Sequence, residues 1–282
     1  MPTDAAANAL IFTDVDNTLV FHDLEARTRG EEIPRFDRVA PSPAVYRAFE
    51  RLRARGHKVY LCTGRALCNI PRLLHDLNPD GIIAEAGAYV RSGDRVLCDA
   101  HMSLDVLERA ASLLEELVVD AEFEGNEGLI EFYPSGAQGA FPEFSIARGV
   151  DDFMELAARY PIAKFCIHEA STKRLTSFIA FAREYFEICD LAGDVLEFSL
   201  HGTDKGSAIR LVREHLGHGI EGTYAFGDSE NDLPMAAEVE TFIAMGNALE
   251  HVKQQADLVA PPVKDDGMPR MAAKLGLIDC FE

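Results

Sequence analysis

The chain has 282 residues, long for one average domain and comfortable for two. Its 48% hydrophobic and 26% charged residues are ordinary globular usage and exclude a disordered or fibrous chain. Forty-seven Asp and Glu against twenty-seven Lys and Arg set the net charge at −20, a field that repels nucleic acid and acidic membrane surfaces, so neither is an expected partner.

A phosphate-binding site in such a chain needs local compensation from a metal, a few placed cations or backbone N–H groups. The six cysteines (Cys62, Cys68, Cys98, Cys166, Cys189, Cys280) are scattered without a C-x-x-C pair and read as reduced, mostly buried thiols. No apolar run reaches the length of a membrane span. The start, Met1-Pro2-Thr3-Asp4, carries no basic region ahead of its apolar stretch, so a cytoplasmic location is the expectation.

Taken in chain order, the apolar run Ala9–Thr13 is short and ends abruptly in Asp14-Val15-Asp16-Asn17, the pattern of a buried strand opening into a polar loop. Ser42 to Arg55 is predicted helical, with Ser42 as N-cap, Pro43 at the first helical position and Gly56 at C′. The strand His57–Cys62 follows and ends in Thr63-Gly64-Arg65. Two continuously apolar strands joined through a helix predict parallel pairing with helices on both faces.

Between about 86 and 199 the character changes. Tyr89 to Leu97 reads as a hairpin around Ser92-Gly93-Asp94, and Leu129–Tyr133 and Lys164–His168 are alternating or half-polar, which suits an antiparallel sheet with one solvated face. Helical stretches at Ser103–Val118, Val150–Arg159 and Thr172–Tyr185 are expected to cover its other face. After residue 200 the first pattern returns, with a helix Lys205–Leu216, a strand Thr223–Phe226 ending in Gly227-Asp228-Ser229-Glu230-Asn231-Asp232, a helix from Leu233, strands Thr241–Ala244 and Asp257–Ala260, and a last helix Met268–Leu275. The expected fold is therefore α/β: a Rossmann-like, doubly wound parallel sheet from residues 1–85 plus 200–282, with 86–199 inserted as an α+β cap.

In an open parallel sheet, ligands bind beyond the carboxyl ends of the strands, so Asp14, Asp16, Thr63, Asp228 and Asp232 should converge at one rim. Clustered carboxylates repel one another unless a cation sits among them, and hard oxygen donors favour Mg²⁺ over zinc or copper. Asp14 and Asp228 are the expected ligands, with the Asp16 backbone carbonyl as a third contact.

These residues carry a resemblance to the haloacid dehalogenase superfamily of aspartate-nucleophile phosphatases, and within it to the Cof-like IIB branch with a C2-type α/β cap. Asp14-Val15-Asp16-Asn17-Thr18-Leu19 resembles its nucleophile loop, Leu61-Cys62-Thr63-Gly64-Arg65 its Ser/Thr motif, Thr203-Asp204-Lys205-Gly206-Ser207-Ala208 its lysine motif and Gly227–Asp232 its G-D-x-x-N-D motif. Asp266-Gly267-Met268 resembles the closing D-G-V. One departure stands at Glu85-Ala86-Gly87-Ala88, where the branch commonly has Asn-Gly-Ala.

The resemblance implies a Mg²⁺-dependent phosphatase of small phosphorylated metabolites, sugar phosphates among them, in which the cap sets specificity. Asp14 would form an aspartyl-phosphate and Asp16 would protonate the leaving alcohol and later activate water. Thr63, Gly64 and Lys205 would bind the transferring phosphoryl group, Asp228 would hold the metal, Asp232 would act through metal-bound water or by orienting Lys205, and Asn231 would support the loop or the phosphate. Asn17 is expected where the loop turns through positive φ. A sugar phosphomutase on the same scaffold and a non-catalytic phospho-ligand sensor are the alternatives, and the oligomeric state is not legible.

Plainer readings stand beside these. Arg65 suits either a contact to substrate or cap or an exposed helix start and stays outside the catalytic set. His215 and His218 lie near a helix end beside glycines, where solvated or carbonyl-capping histidines are the commoner case. Cys62 is expected to be a buried structural thiol and Glu115-Glu116 a solvated surface. Lys205 opens its helix, where the macrodipole disfavours a cation, and this strengthens its functional reading.

Overall fold

The computed structural model describes residues 8–23, 26, 29, 34, 38–139, 144–168, 174–190 and 195–281. Packing divides the chain into two units: Met1–Arg65, Asn69–Leu97 and Asp204–Glu282 form the first, and Ala66–Cys68 with Cys98–Thr203 the second.

The first unit is built on an eight-stranded sheet. Its parallel part comprises β1 (Leu10–Thr13), β2 (Lys58–Cys62), β3 (Gly81–Ala84), β12 (Thr223–Gly227), β13 (Thr241–Ala244) and β14 (Leu258–Val259), in the order β14-β13-β12-β1-β2-β3. β1 is central, with Thr13 registered against Phe226 of β12 on one side and Leu61 of β2 on the other. The chain winds outward from β1 in one direction through β2 and β3, then in the other through β12 to β14. The strand order therefore reverses beside β1, where a crevice opens at the carboxyl ends.

The helices that cover this sheet follow their caps. Ser42 accepts the Val45 N–H at the start of the helix Pro43–Ala54, and Gly56 leaves it with φ +83°. Asp204 and Ser207 form a capping box at the head of the helix Lys205–Leu216, and Gly217 closes it in the left-handed conformation. Ala44, Val45, Ala48, Phe49 and Leu52 form the buried stripe of the first of these helices, while Phe12, Tyr60 and Phe226 fill the sheet.

The hairpin predicted around Ser92-Gly93-Asp94 forms, as β4 (Tyr89–Ser92) and β5 (Arg95–Asp99), but it does not open the inserted sheet. β4 pairs antiparallel with β3, residue Ile83 against Val90, and the hairpin extends the large sheet. The sequence pattern reports an antiparallel pair; it carries nothing about which sheet edge the pair joins.

The second unit has a six-stranded sheet in the order β10-β11-β9-β6-β7-β8, made of β6 (Ala121–Gly125), β7 (Gly128–Phe132), β8 (Ser145–Ala147), β9 (Lys164–His168), β10 (Phe186–Asp190) and β11 (Val195–Leu200). All its pairings are antiparallel except β7 with β8. Alternation puts Phe123, Phe165 and Phe198 on the face covered by the helices Leu104–Leu117, Val150–Ala157 and Thr176–Tyr185. There the rings of Phe165 and Phe198 stack at 4.6 Å and Phe153 meets Phe123 at 4.4 Å. The first residues of the helix expected from Thr172 lie outside the described residues.

The opposite face is polar, as the alternation predicts, but not uniformly solvated. Lys164 is buried, and its Nζ sits 2.7 Å from Glu197 Oε2 and 3.1 Å from Glu124 Oε1. Burial opposes the charge on Lys164, and the two carboxylates outweigh it and hold its pKa well above the ordinary lysine value. Among the described residues, no helix is long and apolar enough to cross a membrane.

Two features of this framework are measurable. Val118 closes the helix Leu104–Leu117 at φ +53°, ψ +49°, a left-handed conformation that a β-branched residue adopts only under strain, and the residue is 51% exposed. Val118→Gly is expected to raise stability by about 0.5–1 kcal/mol, the relieved strain exceeding the added chain entropy, as read from chemical denaturation.

His57 is buried with Nδ1 accepting the Ala9 N–H at 3.1 Å and Nε2 at 3.1 Å from the Leu277 carbonyl, so the neutral Nε2–H tautomer satisfies both. Burial, with a smaller contribution from Arg55, depresses its pKa below the ordinary histidine value. The unfolded chain therefore binds the proton more readily. The stabilisation is complete above the unfolded-state pKa and is lost as pH falls through it toward the folded value. Lowering the pH from about 7.5 to about 5.5 should cost the wild type more stability than His57→Gln, measured by denaturation at both pH values.

Candidate active site

The loop after β1 turns tightly. The Val15 carbonyl accepts from the N–H groups of Leu19 at 2.8 Å and Val20 at 3.0 Å, and Asn17 sits at φ +59°, the positive-φ position expected of it. Asn247 steadies this turn, its Nδ2 donating to the Asn17 carbonyl at 2.8 Å while its Oδ1 accepts the Val263 N–H at 2.8 Å. Asp14, one residue past β1, is thereby presented at the crevice with its own N–H donating to the Phe226 carbonyl at 2.9 Å.

Across that crevice, Lys205 enters from the head of its helix and is 1% exposed. Its Nζ donates to Asp14 Oδ1 at 2.7 Å and to Asp232 Oδ1 at 2.6 Å. Two glycines make the approach possible. A Cβ on Gly87 would stand 2.4 Å from the Asp204 carbonyl oxygen, and one on Gly206 2.3 Å from that of Pro234. Asp232 uses its second oxygen to accept the N–H groups of Asp228 at 2.9 Å and Ser229 at 3.1 Å. It thereby ties Lys205 to the backbone of the acidic loop.

Asp228 completes the cluster: carboxylate oxygens of Asp14, Asp228 and Asp232 lie within 4.8 Å of one another. Burial, opposed by Lys205 and reinforced by Asp232 and Asp16, pushes the Asp14 pKa up to about 7. Burial and then the charges of Asp14 and Asp232 push Asp228 up to about 8, with Lys205 pulling the other way. Three carboxylates against one ammonium leave the pocket short of positive charge. The donor set is all oxygen, and a hard divalent cation fits both the deficit and the donors.

Thr63 is fully buried two residues beyond Leu61, at the carboxyl end of β2. Its Oγ1 accepts the Arg65 N–H at 3.1 Å, which leaves the hydroxyl proton to be donated elsewhere. Gly64 faces Asn231, whose Nδ2 would be 3.7 Å from a Cβ placed there, so the Thr63 loop and the acidic loop adjoin. Asn231 Oδ1 accepts from the Ser229 hydroxyl at 2.9 Å.

Asp16 is not part of the carboxylate cluster. Its side chain is gripped by Arg65, with Nε 2.9 Å from Oδ2 and Nη2 2.6 Å from Oδ1, and His22 Nε2 lies 2.6 Å from Oδ1. Burial would raise its pKa, but the hydrogen bonds from Arg65 and then His22 win and hold the carboxyl far below its ordinary range.

Arg65, which the sequence offers as a contact to substrate or cap or as an exposed helix start, is not exposed. Its side chain is 10% exposed and pairs with Asp16. His22 and Asn247 went unnoticed in the sequence, since neither lies inside a recognisable motif. For Arg65 a signal existed: it shares a three-residue loop with Thr63. Cys62 is buried with its pKa raised, the inert thiol expected. His218 is half-buried, with Nδ1 2.9 Å from the Gly219 carbonyl oxygen.

The strap of Asp14, Lys205 and Asp232 has a testable energetic signature. Lys205→Met strands two buried carboxylates and is expected to cost about 3–5 kcal/mol in denaturation without added metal. The double variant Lys205→Met, Asp232→Asn should recover part of that loss.

The haloacid dehalogenase-like hydrolase family matches residues 11–271. The chain is 29% identical over 274 residues to YkrA of Bacillus subtilis (strain 168), whose phosphatase name is itself provisional, across 95% of this chain and 98% of that protein. It is 25% identical over 227 residues to an HMP-PP phosphatase of Yersinia enterocolitica serotype O:8 / biotype 1B, covering 75% of this chain and 80% of that one. Among solved structures, BT1666 from Bacteroides thetaiotaomicron superposes with a TM-score of 0.79 at 20% identity, over 99% of this chain and 98% of its own. BT4131, described as a subclass IIB sugar phosphatase, gives 0.75 at 22%, over 96% and 100%. At that identity the two structures speak for a shared fold, while the family match runs through both sequence halves of the sheet that carries Asp14, Lys205 and Asp228, and the chain accordingly belongs to the haloacid dehalogenase-like hydrolases.

Proposed function

We propose that this protein is a Mg²⁺-dependent phosphatase that hydrolyses small phosphate monoesters through a phosphorylated Asp14. The observation that carries the reading is Asp14 at the centre of the crevice, braced by the buried Lys205 and beside Asp228. Relatives named as phosphatases of small metabolites support the substrate class, and sugar phosphates are the first group to test.

In the first half-reaction an Asp14 oxygen attacks phosphorus as the bond to the leaving oxygen breaks, and Asp16 supplies that oxygen with a proton. In the second, water attacks the phosphorus of the aspartyl-phosphate, its proton passes to Asp16, and the Asp14–phosphorus bond breaks to give inorganic phosphate and the starting carboxylate. The contacts from Arg65 and His22 favour ionised Asp16, the state that accepts the proton of the attacking water. That proton passes on to solvent, from which Asp16 takes one up again as the next leaving alcohol departs.

Lys205 faces the oxygens on which charge develops, and the Thr63 hydroxyl can donate to the same group. Asp14, Asp228 and the Asp16 backbone carbonyl would hold the divalent ion, which supplies charge neutralisation for the phosphoryl group. Asp232 and Asn231 hold the loop that brings Asp228 to the site.

The test is phosphate release from a panel of phosphorylated metabolites. Activity should vanish with EDTA, return with Mg²⁺ and be absent in Asp14→Asn, while Asp16→Asn should lower kcat by roughly 10²–10⁴-fold. Undiminished turnover by Asp14→Asn would rule the reading out.

A further inference from the structure

We propose that Arg65 and His22 are positioning residues for this reaction, a two-sided clamp that fixes the Asp16 carboxylate in the one orientation from which it can exchange a proton with the leaving oxygen. The inference rests on the phosphatase reading above and adds to it two residues outside its catalytic set.

The clamp is built from both ends. Arg65 presents Nε and Nη2 as a fork to the two oxygens of Asp16, a planar pairing that fixes the plane of the carboxylate as well as its distance. His22 approaches Oδ1 from the following turn, with its side chain only 4% exposed. Each jaw is anchored to the machinery it serves. The Arg65 N–H binds Thr63 Oγ1 at 3.1 Å and its carbonyl accepts the Glu85 N–H at 2.9 Å. The His22 N–H meets Asn17 Oδ1 at 3.2 Å, so the same turn that displays Asp14 also carries His22.

A carboxylate on a short side chain beside a crevice has several rotamers available, and only some direct an oxygen at the leaving group. Proton transfer in the transition state demands hydrogen-bond reach and alignment, so an error of about 1 Å costs rate heavily. A lysine in place of Arg65 keeps the charge and loses the fork.

The experiment compares Arg65→Gln, Arg65→Lys and His22→Gln on p-nitrophenyl phosphate and β-glycerol phosphate. The aryl leaving group departs without a proton and the alkyl one does not. Arg65→Gln and His22→Gln should lower kcat/KM for β-glycerol phosphate by roughly 10²-fold with little change for p-nitrophenyl phosphate, and Arg65→Lys should fall between wild type and Arg65→Gln. Equal losses on both esters would reduce the pair to a structural role and overturn the proposal.

A second arm needs no turnover. If the clamp exists, the Tm losses of Asp16→Ala and Arg65→Gln are not additive, the double variant losing about as much as the worse single. Additive losses would overturn the clamp itself. A wild type that releases phosphate from neither ester would instead overturn the phosphatase reading, with the thermal arm still deciding whether Asp16 is held.

Discussion

The structure of the first unit turns on one ammonium group. Lys205 Nζ lies buried between Asp14 and Asp232, and its charge offsets the cost of burying their carboxylates. Burial alone opposes the charge on Lys205, and the two carboxylates outweigh that and hold its pKa well above the ordinary lysine value. The geometry needed to deliver one nitrogen to two oxygens explains much of what surrounds it. Gly87 and Gly206 let backbones close up around the head of the lysine helix, Gly227 makes room for the Asp232 side chain, and Asp204 caps the same helix that begins with a cation. A positive charge at a helix start works against the macrodipole, and the cost is accepted where the charge is paired.

Much of this was readable beforehand, because the features concerned are local. The helix Pro43–Ala54 and the helix Lys205–Leu216 follow from an N-cap before and a glycine after, features that lie within a few residues of each other. Asp14 and Asp228 end apolar runs, and parallel strands bring such ends to one rim whatever their separation in the chain. Ala86 is an instructive intermediate case. The sequence flagged it as a substitution for asparagine, and the backbone there has φ +53°, a conformation asparagine tolerates better than alanine.

What stayed hidden depends on non-local geometry. Nothing in the pattern of residues 14–22 and 63–65 says that Arg65 turns back onto Asp16 or that His22 meets it there, since the spacing of 49 residues has no periodicity to reveal it. The same holds for the polar face of the second unit. Alternation along β6 and β9 marks Glu122, Glu124, Lys164 and Cys166 as sharing a face. It does not show that Lys164 and Glu197 are buried as a pair, because burial of a face is decided by what covers it. The hairpin β4–β5 fails to be placed for a related reason: the edge it joins is chosen by β3, not by its own residues.

The clamp and the carboxylate cluster also divide the acids of the site by environment. Asp14 and Asp228 sit where burial and mutual repulsion outweigh one lysine, so a proton is retained close to neutrality unless a cation replaces it. Asp16, a few ångströms of chain away, faces a guanidinium and an imidazole and is held ionised. Once ionised, three carboxylates beside one ammonium repel a phosphate dianion, and in a chain of net charge −20 no long-range field offsets that repulsion. A divalent cation held by Asp14 and Asp228 would supply the missing positive charge and would compete with protons for these two carboxylates. Asp16 needs no such preparation because its partners are built in. Two aspartates separated by a single residue thus have opposite environments, Asp14 raised by burial and Asp16 lowered by the hydrogen bonds it accepts.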